Sequence, residues 1–282
     1  MLLPVNLRAM TGADIPAGMR LKEIAGWNQT PADWLRFLES SPGGCFVADL
    51  GGRVAGTAAT IIYENRFAWI GMVLVDPAFR GRGIGTRLLE KTIEFLDKRG
   101  LPAMKLDATP QGKPIYERLG FKSEYEIERW LLRRPSHPPA LPATRPEALD
   151  EVLKLDQQVF GANRSELLRS LASEAPAFAL AAWQDDELKG YAFGRAGSRA
   201  DHLGPCVAWD EQAAAALLDQ FLHRSSRNMI FVDRVKPCGL LATLLRTRGF
   251  ELSRQLTRMF RGPNDFPGRP EMQCAILGPE FG

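Results

Sequence analysis

Apolar residues along positions 1–132 fall into short runs separated by turn residues, and one longer stretch repeats them at helical spacing. The runs at 44–48, 54–62 and 68–75 have the length and composition of strands. From Ile84 to Leu96 the apolar residues instead recur at the spacing of one helix face, before a stop at Gly100. This order predicts three strands followed by an amphipathic helix.

Further elements surround these four. Residues 30–33 read Thr-Pro-Ala-Asp, the order of an N-cap, a proline at the first helical position and a capping-box acid, which predicts a helix start. Strands are predicted at 5–8, 103–107 and 125–132, and the last of them is expected to complete the sheet. The predicted fold class is α/β of the α+β kind, a mixed twisted sheet flanked by helices.

The remainder of the chain repeats this plan in weaker form. Gly56 and Gly71 are 15 positions apart, and Gly190 and Gly204 are 14 positions apart. Prolines at 135, 138, 139, 142 and 146 exclude a regular helix or a central strand between the repeats. We therefore divide the chain into a first half (1–132), a proline-rich linker (133–146) and a second half (147–282).

Composition describes an ordinary globular protein of two domains. The 36 basic residues are interleaved with 33 acidic ones, and a net charge of +3 does not indicate a nucleic-acid partner. With no signal-peptide pattern and no apolar run of about 18 residues, we expect a cytoplasmic protein without membrane contact, either a monomer or a homodimer. Four scattered cysteines and three histidines predict neither a disulfide framework nor a metal site.

The segment 73–86 carries the clearest chemical signal, because an apolar strand runs through a Gly/Arg loop into a helix. Gly81, Gly83 and Gly85 leave backbone N–H groups uncovered, and the helix adds the positive end of its dipole. Arg80 and Arg82 can add charge-assisted hydrogen bonds. The loop therefore predicts a site for a phosphate group.

The spacing narrows the choice of phosphate ligand. A dinucleotide fingerprint requires glycine where this chain has Thr86, and no Gly-Lys-Ser/Thr of a nucleotide P-loop follows. Arg80, Gly83 and Gly85 instead form R-x-x-G-x-G, which resembles the acetyl-CoA loop of the GCN5-related N-acetyltransferases, the GNAT family. The resemblance implies acetyl-CoA as cofactor, bound by Val73, Leu74, Val75, Arg80, Gly81, Arg82, Gly83, Ile84, Gly85 and Thr86.

Two further features fit the same family. Gly71 stands inside a predicted strand and indicates a bulge or a close backbone approach, at the place where family members hydrogen-bond the pantetheine arm of the cofactor. Residues 112–121 resemble the family's helix ending in Tyr-x-x-x-Gly-Phe, with Tyr116 as the tyrosine. The resemblance implies that Tyr116 protonates the departing thiolate, whereas a tyrosine in this position can also serve packing alone.

The acceptor side is less defined. Some family members place a glutamate on the bulged strand, but residues 69–73 contain no ionisable side chain. Asp107, at the end of the next predicted strand, is the candidate base, with a helix cap as its alternative role. Trp27 and Asn28 precede the first predicted helix, in the region that shapes the acceptor pocket in the family, although Trp27 can equally anchor that helix.

The second half lacks the chemical signature of the first. Residues 209–216 run into a helix without glycine or arginine, and Leu245 stands where the first half has Tyr116. This half resembles the YitH/HolE-type acetyltransferase C-terminal domain in Asp156, residues 159–164 and residues 278–282. We therefore expect a degenerate GNAT-like domain and one cofactor per chain.

The resemblance implies an N-acetyltransferase that transfers acetyl directly to a primary amine within a ternary complex. A small-molecule acceptor is favoured, because a second domain that caps the cleft encloses a site. Two alternatives stay open: a protein or peptide N-acetyltransferase with an open groove, and a non-catalytic acetyl-CoA sensor.

Overall fold

The first half forms six strands and four α-helices. A computed structural model describes residues 4–135 and 149–282, so the predicted linker lies outside the described residues from position 136 onward. The strands of this half are β1 (Asn6–Ala9), β2 (Phe46–Leu50), β3 (Arg53–Tyr63), β4 (Phe67–Val75), β5 (Met104–Ala108) and β6 (Lys122–Arg133). Its helices are α1 (Ile15–Ile24), α2 (Pro31–Ser40), α3 (Ile84–Lys98) and α4 (Lys113–Arg118).

The described part of the second half contains the same kinds of element. Its helices are α5 (Leu149–Phe160), α6 (Ser165–Glu174), α7 (Glu211–Arg224) and α8 (Leu241–Thr247). Its strands are β7 (Leu180–Gln184), β8 (Glu187–Ala196), β9 (Asp201–Ala208), β10 (Met229–Val235), β11 (Glu251–Arg261) and β12 (Gln273–Ala275). The mixed α/β class predicted from the sequence is confirmed.

Local sequence signals account for several helix ends. The backbone N–H of Thr30 donates to Asp33 Oδ2 at 2.8 Å, so the capping box predicted for α2 is present. In the second half Asp210 caps α7 by accepting from the Ala213 N–H at 2.7 Å. The start of α7 is thus formed by an Asp cap, and no glycine loop precedes it, as the sequence of residues 209–216 predicts.

All twelve strands join one sheet, in the order β1-β2-β3-β4-β5-β11-β6-β10-β12-β9-β8-β7. The two halves exchange strands: β11 of the second half lies between β5 and β6, and among the described residues β6 pairs only with β11 and β10. The prediction that 125–132 completes the sheet of the first half was wrong in this respect. Apolar alternation identifies a strand, but it does not distinguish between partners that offer the same backbone hydrogen bonds.

In the first half β4 and β5 part soon after they begin to pair. Their parallel register includes Ala68 with Met104 and Trp69 with Lys105, and it ends there. Just beyond, β4 bulges opposite β3, and Met72 takes a φ of +54° with its carbonyl held by Thr57 Oγ1 at 2.7 Å. The bulge predicted around Gly71 is confirmed, and it opens a gap between β4 and β5 that we call the first gap.

The second half has a corresponding gap that is filled. Strands β9 and β10 pair from Asp201 to Leu203 and then separate, and β12 enters between them. A Cβ atom at Gly204 would overlap the carbonyl oxygen of Ile276, so the backbone just after β12 lies directly against β9 at this point. We call this place the second gap.

Residues 278–282, the 278–282 segment, continue from β12 and cross to the first half. Tyr63 OH donates to the Phe281 carbonyl at 2.7 Å, and Trp69 Nε1 donates to the Pro279 carbonyl at 3.0 Å. The Phe281 ring stacks on Phe37 with centroids 5.0 Å apart. The two halves thus share one buried core beneath β4.

Candidate active site

The first gap forms a cavity of about 730 Å³ whose walls come from both halves. Most residues predicted from the sequence line it, whereas Arg82 and Asn28 do not. The predicted residues that line it are Trp27, Val73, Leu74, Val75, Arg80, Gly81, Gly83, Ile84, Gly85, Thr86, Asp107 and Tyr116.

The Gly/Arg loop forms one end of the cavity. Gly81 and Gly83 have φ values of +75° and +72°, and a Cβ atom at either position would meet no described atom within 4 Å. Gly83 precedes the first residue of α3, Ile84, so the free N–H groups of the first helical turn adjoin this open space. Open space beside exposed backbone donors at the start of a 15-residue helix suits a phosphate group.

The two arginines of the loop are placed differently. Arg80 lies on the cavity wall and donates through Nε to the Val75 carbonyl at 3.2 Å. The Arg82 guanidinium lies over the Phe79 ring, 5.3 Å from its centroid, and is exposed. Arg80 is therefore the better placed of the two to contact a ligand in the cavity.

Tyr116 enters the cavity from α4, next to the loop that follows β5. Its ring packs edge to face on Phe121, with centroids 6.0 Å apart. Burial raises the pKa of the Tyr116 hydroxyl to about 12. The hydroxyl consequently keeps its proton throughout the neutral range and can act as a donor.

Asp107 lies on the cavity wall but is engaged by an arginine of the second half. Arg258 of β11 binds it with both arms, Nε to Oδ1 at 2.9 Å and Nη2 to Oδ2 at 3.0 Å. Burial raises the pKa of Asp107, and the Arg258 charge acts in the opposite direction. Since both oxygens accept from one guanidinium, the geometry favours a buried ion pair over a freely acting base.

A second carboxylate, Glu280, was not singled out by the sequence analysis. It lies on the cavity wall, and its backbone oxygen is 2.7 Å from where a Cβ of Gly71 would stand. Its Oε1 accepts from Arg195, which also binds Asp33 at 2.6 Å. The 278–282 segment thus brings the Glu280 backbone against the bulged strand, while the Glu280 carboxylate pairs with Arg195.

The second-half residues noted for their family resemblance hold this segment in place. Arg164 binds both oxygens of Asp156 at 2.8 and 2.9 Å and donates to the Gly282 carbonyl at 2.9 Å. Tyr191 donates to Asp156 at 2.6 Å. The resemblance of Asp156 and residues 159–164 to a known C-terminal domain was the sequence signal for these residues. It did not predict that the 278–282 segment contacts β4, because that contact joins residues far apart in the chain.

Trp27, Asn28 and Gln29 have three different environments. Trp27 lines the cavity, as expected for an acceptor-side residue. Asn28 is buried outside it, where Nδ2 donates to the Ala200 carbonyl at 3.0 Å and Oδ1 accepts from the N–H groups of Arg199 and Ala200. Asn28 therefore connects the halves, while Gln29, which the sequence analysis did not select, lines the cavity.

Metal-ligand clusters and membrane-spanning helices were both sought among the described residues. Within residues 4–135 and 149–282, no group of three or more His, Cys, Asp or Glu side chains is arranged to hold a metal ion. Within the same ranges no helix is long and apolar enough to cross a membrane.

Comparison with known proteins assigns the class. A family model described as Acetyltransferase (GNAT) family matches residues 19–121, and another described as Acetyltransferase (GNAT) domain matches residues 152–274. The chain belongs to the GNAT acetyltransferases and contains two GNAT domains.

Two curated relatives match this chain over most of its length. Holothin acyltransferase of Pseudoalteromonas sp. (strain SANK 73390) is 24% identical over 260 residues, covering 91% of this chain and 87% of that protein. The uncharacterized N-acetyltransferase YitH of Bacillus subtilis (strain 168) is 26% identical over 207 residues, covering 71% and 72%.

Solved structures show the same fold. A GCN5-related N-acetyltransferase from Sphaerobacter thermophilus superposes with a TM-score of 0.67 at 20% identity, covering 92% of this chain and 96% of that one. A tandem GNAT protein from the clavulanic acid biosynthesis pathway gives a TM-score of 0.65 at 18% identity, covering 93% and 100%.

Proposed function

We propose that the first half transfers an acetyl group from acetyl-CoA to a primary amine of a small molecule, and that the second half closes the acceptor side of the site. The observation that carries this proposal is the single cavity that contains the Gly/Arg loop, Tyr116 and Glu280. The loop supports phosphate binding, and the two ionisable side chains that line the same cavity support proton transfer.

The cavity walls fit the proposed cofactor. The free N–H groups at the start of α3 and the open space above Gly81 and Gly83 would hold the pyrophosphate. Beyond Trp69 the side of β4 that faces β5 has no strand partner, so its backbone groups are available to an extended ligand. When bound, acetyl-CoA supplies an activated thioester whose acetyl group passes to the acceptor nitrogen.

The chain's own groups then have three tasks. We assign the backbone N–H groups near Val73 and Leu74 to polarising the thioester carbonyl. Tyr116 gives its proton to the sulfur as the carbon–sulfur bond breaks, which suits a hydroxyl with a pKa of about 12. We assign Glu280 to taking the proton lost by the amine as the carbon–nitrogen bond forms, because Arg195 binds it through Oε1 alone, whereas Asp107 is held at both oxygens by Arg258.

Enclosure of the cavity supports a small acceptor. Four lining residues come from the second half: Arg254, Leu256, Pro279 and Glu280. A cavity enclosed by both halves suits a small molecule better than an extended protein chain. The match to a protein named holothin acyltransferase includes this second half, whereas the match to one named Histone acetyltransferase TAP1, from Glycine max, covers 30% of the chain.

The test is turnover measured beside cofactor binding. Purified full-length protein is mixed with acetyl-CoA and a broad panel of amines, and free thiol release is followed. We expect release above background with at least one small amine, together with a rise in melting temperature on adding acetyl-CoA. A rise in melting temperature without thiol release from any amine would instead support the sensor alternative.

A further inference from the structure

The bulge of β4 holds one residue in a backbone conformation that side-chain-bearing residues rarely adopt. Met72 has a φ of +54°, in the left-handed region, although it carries a long side chain. The register with β3 skips Met72 and Val73, which lie together opposite Ala58. A conformation of this kind persists only where surrounding contacts impose it, and such residues concentrate at functional sites.

Two contacts impose the conformation of Met72. Its side chain is buried in the core that the two halves share. Its carbonyl oxygen accepts from the hydroxyl of Thr57 on β3 at 2.7 Å, and Thr57 is fully buried as well. Because a buried carbonyl that loses its donor is costly, this bond fixes the direction in which the Met72 carbonyl points.

The direction of that carbonyl also decides where the next backbone N–H points. A trans peptide group is planar, and its carbonyl and its N–H point in opposite directions. The bond between Met72 and Val73 is trans, since the cis bond among the described residues joins Gly204 and Pro205. With the Met72 carbonyl turned toward Thr57 on β3, the Val73 N–H is turned away from β3. The first gap lies on that side of β4, and Val73 lines its cavity.

A neighbouring peptide group of β4 obeys the same rule. The Asp76 N–H donates to the Ala55 carbonyl on β3 at 2.8 Å. The carbonyl of that peptide group, which belongs to Val75, therefore faces away from β3. There it accepts from Nε of Arg80, a residue of the cavity wall, at 3.2 Å. A peptide group of β4 that binds β3 at one end thus presents its other end to the first gap.

We propose that Thr57 is a positioning residue for acetyl transfer: its hydroxyl holds the Met72 carbonyl and thereby aims the Val73 N–H at the thioester carbonyl of bound acetyl-CoA. The inference rests on the proposed function, since it places acetyl-CoA in the first gap. Thr57 lies outside the cavity lining, so it acts through the peptide group and not by contact with the ligand. A donor fixed before negative charge develops on the carbonyl oxygen needs no reorganisation during the reaction.

Variants of the full-length protein separate the aiming of this N–H from packing. Thr57→Val and Thr57→Ala remove the hydroxyl, whereas Thr57→Ser keeps it. Thr60→Val is the matched control, because Thr60 is also fully buried on β3 and its hydroxyl donates to the Gly44 carbonyl at 3.0 Å, outside the cavity lining. Both valine variants lose a bond of the same kind, so both should lower the melting temperature.

The rate of transfer distinguishes these variants. We expect kcat to fall by about 10- to 100-fold in Thr57→Val and Thr57→Ala, less than for loss of a whole oxyanion donor, because the N–H remains but loses its aim. In Thr57→Ser and Thr60→Val kcat should stay within about threefold of wild type, and acetyl-CoA affinity should be retained in all four variants. A wild-type kcat in both Thr57→Val and Thr57→Ala overturns the inference, as does an equal loss in Thr60→Val.

A second measurement needs no acceptor and keeps the two proposals apart. The infrared band of the acetyl carbonyl is recorded for isotope-labelled acetyl-CoA, free and bound to each protein. A hydrogen bond weakens the carbonyl bond, so we expect a shift to lower wavenumber on wild type, Thr57→Ser and Thr60→Val, and a smaller shift on Thr57→Val and Thr57→Ala. If no amine is acetylated, the proposed function fails, yet this pattern still supports the aiming by Thr57. A wild-type band at the free position, a full shift without the Thr57 hydroxyl, or failure of acetyl-CoA to bind overturns the inference.

Discussion

Both halves contain a pair of parallel strands that separate after a few residues, and they use the space differently. In the first gap β4 and β5 leave a cavity lined by glycines, Tyr116 and Glu280. In the second gap β12 pairs with both β9 and β10 and occupies the corresponding place. The second half therefore completes its sheet with its own chain where the first half, on our proposal, uses a cofactor.

The surroundings of the second gap agree with this difference. The N-terminus of α7 is capped by Asp210, so a carboxylate already accepts from one of its free N–H groups, that of Ala213. Leu245, at the place of Tyr116, is fully buried in apolar core. The second gap thus has a strand, a cap and an apolar side chain where the first has open space, and this difference supports our proposal of one acetyl-CoA per chain.

The largest expected effect comes from filling the loop at the first gap. Gly83→Val places a β-branched residue at a φ of +72° and covers the start of α3. We expect acetyl-CoA affinity to fall by at least about 100-fold, measured by calorimetry and thermal shift. The matched change at the second gap, Glu211→Gln at the start of α7, should leave affinity and a stoichiometry of one unchanged. Equal stabilisation of Gly83→Val and wild type would refute the loop assignment.

Exchanging the tyrosine should affect turnover rather than binding. Tyr116→Phe is expected to lower kcat by about 100-fold, the lower end for general acid catalysis, with acetyl-CoA affinity retained. Leu245→Met, its counterpart in the second half, conserves volume and should leave kcat unchanged. Because the Tyr116 pKa is about 12, the hydroxyl stays protonated below that pH, and the wild-type to variant ratio should stay constant from about pH 7 to 10. An unchanged rate would remove Tyr116 from catalysis.

The start of each gap offers a third comparison. Glu280 lies against Gly71, and Ile276 lies against Gly204. Glu280→Gln keeps the shape and loses the proton acceptor, so we expect kcat to fall by roughly 10- to 100-fold. Ile276→Val should leave the rate near that of wild type. If the Glu280→Gln rate equals that of wild type, the amine proton goes to another group.

The smallest expected effect concerns stability alone. Gly204→Ala would push its Cβ into the Ile276 carbonyl and displace β12. We expect a loss of about 2 kcal/mol in unfolding free energy, or roughly 4–8 °C in melting temperature. Acetyl-CoA affinity should be unaffected, since the first gap is intact. A melting temperature equal to that of wild type would show that β12 is not needed to close the second gap.

Much of the proposed cofactor site could be predicted from the sequence, because its backbone geometry depends on residues close together in the chain. Glycines at positive φ, a helix that starts at Ile84 and the capping box at Thr30 all act within a few residues of one another. The same locality predicted the bulge near Gly71 and the start of α7. Such features need no knowledge of distant partners.

The proposed acceptor side depends on distant contacts, and apart from Trp27 its residues were not predicted from the sequence. Glu280 reaches Gly71 because Arg164, Trp69 and Tyr63 bind carbonyl groups of the 278–282 segment. No local motif marks Arg254 or Leu256, which reach the cavity on β11. Asp107 was expected at a strand end, but its partner Arg258 comes from a strand that the other half inserts.

The exchange of β6 and β11 has a consequence for how the protein is made. When a ribosome has completed β5, the strand that will cover its edge is still about 140 residues from being translated. At about 5–20 residues per second the nascent chain waits roughly 7–28 s with that edge unpaired. An unpaired edge invites association with other chains, so this interval is when the protein is most exposed to aggregation and to chaperones. Slowing translation between β6 and β11 should therefore lower the yield of native protein without altering its final stability.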